Sequence, residues 1–103
     1  MENIEKLKSF LCGSPDDPFL KHALALEYIK NGNLAAAREL FLEILIRDPA
    51  YIGSYYHLAH LLERMGEPEN AKSWYEKGMV AAKKAGDLHA YNELQAAYED
   101  LID

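Results

Sequence analysis

The sequence of 103 residues has one cysteine, Cys12, and no long apolar run. A lone cysteine excludes an internal disulfide and is typical of proteins from reducing compartments. A membrane helix needs about 20 consecutive apolar residues, so no membrane partner is expected. The first residues also lack the basic start and apolar core of a secretory signal, and we therefore expect a cytoplasmic protein.

The sequence also has fewer basic than acidic residues. The chain has 11 lysines and arginines against 17 aspartates and glutamates, and residues 87–103 hold five of these acids with no base. Because phosphate binding needs a clustered basic face, nucleic acid is not an expected partner. The sequence contains no glycine-rich phosphate loop and no nucleophile motif, so neither an enzyme nor a cofactor is predicted.

What the sequence does contain is a repeat with a period of 34 residues. The matching pairs are Pro15 and Pro49, Leu24 and Leu58, Ala25 and Ala59, Gly32 and Gly66, and Ala37 and Ala71. A period of this length is typical of two-helix repeats that bury their apolar faces only by stacking on one another. Stacking of this kind favours a binding scaffold over an enzyme.

Apolar periodicity and capping residues together predict six helices and no strand. The predicted helices cover about residues 2–12, 18–30, 34–47, 50–65, 67–85 and 87–101. Asp17, Asn33 and Asp87 are the expected N-caps, and Gly86 is the expected end of the fifth helix. A chain of this length has room for one domain, which we place at residues 1–103.

The residues inside each repeat resemble those of the tetratricopeptide repeat family. The first repeat has Lys21, Leu24, Ala25, Tyr28, Ala37, Phe41 and Pro49, and the second has Tyr55, Leu58, Ala59, Leu62, Ala71 and Tyr75. The resemblance implies an all-α solenoid of antiparallel helix hairpins. Its parts would be an N-terminal half-repeat helix at 2–14, repeats at 18–51 and 52–85, and a capping helix at 87–101. Glu93 occupies the position where the repeats have a small residue, which favours a capping helix with one solvent-exposed face.

The same resemblance implies a binding groove lined by the first helix of each repeat and by the last helix. Its residues would be Phe19, His22, Leu26, Ile29, Lys30, Tyr56, His60, Glu63, Arg64, Leu94 and Tyr98. The implied function is non-catalytic binding of a protein or peptide of unknown identity. A clamp for a peptide carboxylate is not expected, because Asp87 would repel that group.

Three alternatives stay open at this stage. The chain could self-associate as a homodimer, using the groove or its terminal helices. Leu26, Ile29 and Leu94 could pack against neighbouring helices instead of lining the groove. A metal site or enzyme built on His57, His60 and Glu63 is disfavoured, since a closed zinc site wants four ligands and usually cysteine.

Overall fold

The structure, a computed structural model, describes residues 2–103, and every regular element in that range is an α-helix. The helices are α1 (Glu2–Gly13), α2 (Pro18–Lys30), α3 (Leu34–Arg47), α4 (Gly53–Arg64), α5 (Pro68–Ala85) and α6 (Leu88–Ile102). They form two compact units, with α1 to α3 before the division at Asp48 and Pro49 and α4 to α6 after it. Each unit is described by itself below.

The helix ends follow the local chemistry that the sequence predicts. The side chains of Asp17, Asn33 and Asp87 each accept a hydrogen bond from a backbone N–H in the first turn of the following helix. These bonds satisfy donors that the helix itself leaves unpaired. Gly86 ends α5 with a φ of 71°, in the left-handed region that glycine adopts without strain. The three predicted caps and the predicted stop are confirmed.

The start of α4 differs from the prediction, which placed it at Ala50 rather than Gly53. In the intervening residues the backbone makes turn-type bonds that span three residues, for example from the Tyr55 N–H to the Ile52 carbonyl. The Tyr55 hydroxyl donates to the Pro49 carbonyl at 2.6 Å and ties this turn to the helix. A side chain further along the chain therefore supports a turn where sequence spacing alone predicts helix.

The first unit is a hairpin of α2 and α3, with α1 packed on α2. Its buried apolar residues are Ile4, Leu24, Ala25, Ala37, Phe41, Ile44 and Leu45. Lys21 is buried as well, and its ammonium group lies 3.2 Å from the Glu43 carboxylate, which compensates the charge. The Asn3 amide donates to Glu27 at 2.9 Å and joins α1 to α2.

In the second unit, α5 packs against both α4 and α6. The buried apolar residues are Tyr55, Leu58, Ala59, Leu61, Leu62, Ala71, Tyr75, Ala82 and Leu94. At Gly78, α5 lies very close to both α4 and α6. A Cβ placed there would lie 2.7 Å from the Tyr55 Cβ and 3.1 Å from the Leu94 Cδ1. The first repeat has Ile44 at the matching position, so this glycine is what lets three helices meet in the second unit.

Ala59 has no exposed surface, as the repeat register predicts, so enlarging it should overpack the α4 interface. We expect Ala59→Leu to lower the free energy of unfolding by about 1–3 kcal/mol, measured by urea denaturation. Ala35→Leu is the matched control, because Ala35 is exposed on α3 and the added atoms enter solvent. An Ala59→Leu midpoint equal to that of the control would contradict the repeat register.

Candidate functional site

One side of α4 carries three polar side chains spaced four residues apart, Tyr56, His60 and Arg64. Residues at this spacing lie above one another on a helix. Six other side chains of α4 are buried in the second unit, so the stripe lies on the solvent-accessible side of the helix. The rings of Tyr56 and His60 are stacked, with centroids 6.0 Å apart and planes 11° apart. The stripe is therefore partly ordered before any partner binds.

Glu63 and Tyr75 contact the residues of the stripe and each other. The Tyr75 hydroxyl donates to the Glu63 carboxylate at 2.5 Å, and the Tyr75 ring meets Tyr56 edge-on at 6.3 Å. Burial, and then the bond to the nearby negative charge, raise the pKa of Tyr75 well above its usual range. The hydroxyl therefore stays a donor, and Glu63 is held on the α4 face, with its Oε2 3.9 Å from the His60 Nδ1.

A cleft of about 390 Å³ lies beside the stripe, between α4 and α6. Its lining residues are Ile52, Gly53, Tyr56, His57, Asp87, Ala90, Glu93 and Leu94. His57 is half-buried in this cleft, and burial lowers its pKa because the charged imidazolium is poorly solvated there. The lowered pKa favours the neutral form of the His57 ring.

Charge is unevenly distributed around this site. Asp87 and Glu93 place two carboxylates on the α6 side of the cleft, and Asp87 also caps its own helix. Arg64, at the far end of the α4 stripe, has no salt-bridge partner among the side chains that the structure describes. An acidic group of a partner is therefore repelled at the α6 end and attracted at the Arg64 end.

The two residues of α6 that the sequence predicts for the groove, Leu94 and Tyr98, both contact α5, and Leu94 also lines the cleft. Leu94 is 1 % exposed and packs near Gly78 of α5, which matches the alternative that it is a core residue. The Tyr98 hydroxyl donates to Glu76 of α5 at 3.1 Å, a bond that raises the pKa of Tyr98. On α6, Ala90, Glu93 and Leu94 line the cleft, and Glu93 is the exposed one of the three. The sequence signal for Glu93 was an acid at the position where the repeats have a small residue. That signal predicted only a solvent-exposed face.

The remaining groove candidates belong to the first unit and do not form one cluster there. Phe19 is 69 % exposed at the start of α2, whereas the His22 ring lies edge-on against Phe41 at 5.4 Å. Leu26 and Lys30 line a cleft of about 400 Å³ between α1 and α2. The α1 side of that cleft consists of Asn3, Lys6, Leu7 and Phe10. Ile29 is half-buried. That these residues share a groove with α4 stays a prediction.

Other kinds of site find little support in the part of the chain that the structure describes. Among the side chains of residues 3–103, no three from histidine, cysteine, aspartate or glutamate come together as a metal ion would require. The same range holds no helix with the length and apolar character needed to cross a bilayer. What the α4 face offers is aromatic area, hydrogen-bond donors and one unpaired guanidinium group.

Comparison with known proteins agrees with the repeat register. A family model described as tetratricopeptide repeat matches residues 52–79. The solution structure of a tetratricopeptide repeat domain protein from Salinibacter ruber is 39% identical, covers 84% of this chain and 88% of its own, and has a TM-score of 0.81. A search of the curated proteins finds no match.

Two further solved structures share the fold. A protein from Bordetella parapertussis is 27% identical, with 96% of this chain and 86% of that chain covered and a TM-score of 0.83. The first TPR of Spaghetti (RPAP3), solved with the HSP90 peptide SRMEEVD, is 20% identical, with 97% of this chain and 78% of that chain covered and a TM-score of 0.75. The predicted all-α helical-repeat fold is confirmed, and the chain belongs to the tetratricopeptide repeat family.

Proposed function

We propose that this protein is a non-catalytic binding module whose α4 face, Tyr56, His60 and Arg64, holds a peptide segment of another protein. The observation that carries the proposal is the Tyr56 ring, half-exposed between His60 and the cleft to α6. A tyrosine in this setting offers apolar area and a polar tip at low cost in side-chain entropy, as binding hot spots do.

The charges suggest how such a peptide lies. An apolar side chain would contact Tyr56 and enter the cleft, and an acidic residue would pair with the fork of the Arg64 guanidinium. The opposite orientation brings that acid towards Asp87 and Glu93, which repel it. Because Arg64 is exposed, this pairing is screened by salt, so binding should weaken as ionic strength rises.

The relatives are consistent with this proposal. A domain of the same fold, the first TPR of Spaghetti (RPAP3), is solved bound to a peptide with consecutive acidic residues. Its low identity to this chain does not carry over individual contacts, so the residues proposed here rest on the geometry of α4.

The proposal is tested with peptides selected from a random display library against the native protein. We expect the double variant Tyr56→Ala, Arg64→Ala to bind the selected peptides at least about tenfold more weakly by titration calorimetry, a loss of about 1.4 kcal/mol. Both side chains lie at the surface, so unchanged circular dichroism should confirm that the fold is intact.

The control removes an aromatic ring and a cation elsewhere in the second unit, with Tyr91→Ala and Lys83→Ala, where the Lys83 ammonium lies 5.7 Å from the centre of the Tyr91 ring. This variant should bind the peptides as the native protein does. The proposed function is contradicted if the α4 variant and the control have the same affinity as the native protein, since the peptides then bind another surface.

A further inference from the structure

An exposed side of α5 carries two lysines seven residues apart with small apolar residues between them. We call Lys77, Val80, Ala81 and Lys84 the basic stripe. Val80 is 63 % exposed, which is unusual for a branched apolar side chain. The stripe lines a groove of about 470 Å³ that is completed by Pro49, Ala50, Tyr55 and Ala85. No acidic residue lines this groove. Among the described side chains neither lysine has a salt bridge, and the Lys77 ammonium lies 4.3 Å from the centre of the Trp74 ring.

An exposed side of α6 carries the opposite pattern. We call Glu93, Ala96, Ala97 and Asp100 the acidic stripe. Both acids are exposed, and Ala96 is exposed between them. The contact of Glu93 with a charged group is a loose one to His89, at 3.6 Å on the surface, and Asp100 has no salt bridge within the described range. The acidic stripe lies in the segment that holds five acids and no base.

The two stripes have the same spacing. Each places its charges at the first and eighth positions and its small apolar residues at the fourth and fifth, which lie on one side of a helix. Seven residues of helix rise about 10 Å, so the two lysines and the two acids are equally far apart along their axes. If two helices pack side by side along these stripes, each lysine lies next to an acid. This holds whether the helices run parallel or antiparallel.

We infer that the basic stripe of one copy of this protein binds the acidic stripe of a second copy. Alanines at the centre allow the helix axes to approach closely, and Val80 is covered by the contact. The inference goes beyond the proposed function, because it concerns a second copy of the chain. None of Tyr56, His60 and Arg64 takes part, although Glu93 also lines the cleft beside them. It identifies one surface for the self-association that the sequence left open.

The contact is small and heterologous, since each stripe meets a different one. A head-to-tail contact of this kind leaves one basic stripe and one acidic stripe free, so it either closes into a ring or adds further copies. A contact of this length is well below the size of stable interfaces, so association should be weak and concentration-dependent. Both ends are exposed ion pairs, so association should also decrease as sodium chloride is raised from about 0.05 to about 0.5 M.

The test uses the native chain and two charge-reversal variants in sedimentation equilibrium at rising protein concentration. The first variant, Lys77→Glu with Lys84→Glu, makes both stripes acidic, and the second, Glu93→Lys with Asp100→Lys, makes both basic. We expect the native protein to rise in average mass with concentration and each variant alone to stay at the monomer mass. An equimolar mixture of the two variants should associate again, because the native pairing reappears between them.

Matched controls carry the same changes in net charge on other helices. They are Lys6→Glu with Lys8→Glu, and Glu5→Lys with Glu39→Lys, all at exposed positions. These controls, and the Tyr56→Ala, Arg64→Ala variant, should associate as the native protein does. A native protein that stays monomeric at every concentration overturns the inference, as do a mixture that fails to associate and controls that lose association equally.

Discussion

Replacing Gly78 by leucine should destabilise the protein more than any other single change described here. A Cβ at this position already lies 2.7 Å from the Tyr55 Cβ, closer than non-bonded carbons approach, and the rest of a leucine side chain has no space. The Tyr55 Cβ is fixed to its backbone, so α4 and α5 must separate. We expect the free energy of unfolding to fall by at least about 3 kcal/mol in urea denaturation, at the upper end of overpacking effects.

Gly53→Leu is the control for this prediction. Gly53 is also helical, and nothing lies within 4 Å of a Cβ built there. The substitution should change the free energy of unfolding by no more than about 0.5 kcal/mol, and better helix propensity favours the variant. Equal effects at the two glycines would mean that the close approach of α4, α5 and α6 is not present in solution.

Removing the Leu94 side chain should have the next largest effect. Leu94 is 1 % exposed, and truncation to alanine leaves a cavity between α6 and its neighbours. The expected loss is about 2–5 kcal/mol, measured by urea or thermal denaturation. This prediction separates the two interpretations of Leu94, since a groove residue that waits for a partner would contribute little to the stability of the free protein.

Leu88→Ala provides the comparison on the same helix. Leu88 is also a leucine of α6 but is 70 % exposed, so its truncation should lower the free energy of unfolding by no more than about 0.5 kcal/mol. If both variants lose the same free energy, α6 is docked in another rotation, and Leu94 returns to the list of candidate binding residues.

The fold could be predicted from the sequence because its signals are local. Asp17, Asn33 and Asp87 cap helices through hydrogen bonds to residues two or three positions away. The neighbouring residues in the sequence are therefore enough to recognise these caps. The start of α4 was misplaced because it depends on Tyr55 bonding to Pro49, six residues earlier. Contacts at that range are set by how the turn folds, which the apolar period does not encode.

The site was harder to predict than the fold. The spacing of Tyr56, His60 and Arg64 was enough to predict a common stripe, and the stacked rings agree with it. Spacing could not show that α6 buries Leu94 at the base of the cleft and leaves Glu93 exposed beside it, because that rotation depends on packing against α5. A helix has apolar residues on more than one side, and only the neighbouring helices decide which side is buried.

The ring of Trp74 has a consequence for how the stability of the two units can be observed separately. It is the single tryptophan of the chain, 6.1 Å from the Tyr55 ring and with the Lys77 ammonium 4.3 Å from its centre. Tryptophan fluorescence therefore follows the unfolding of the second unit alone, whereas far-ultraviolet circular dichroism follows every helix. Coincident melting curves from the two signals would mean that both units unfold as one cooperative system, and separate curves would give each unit its own transition.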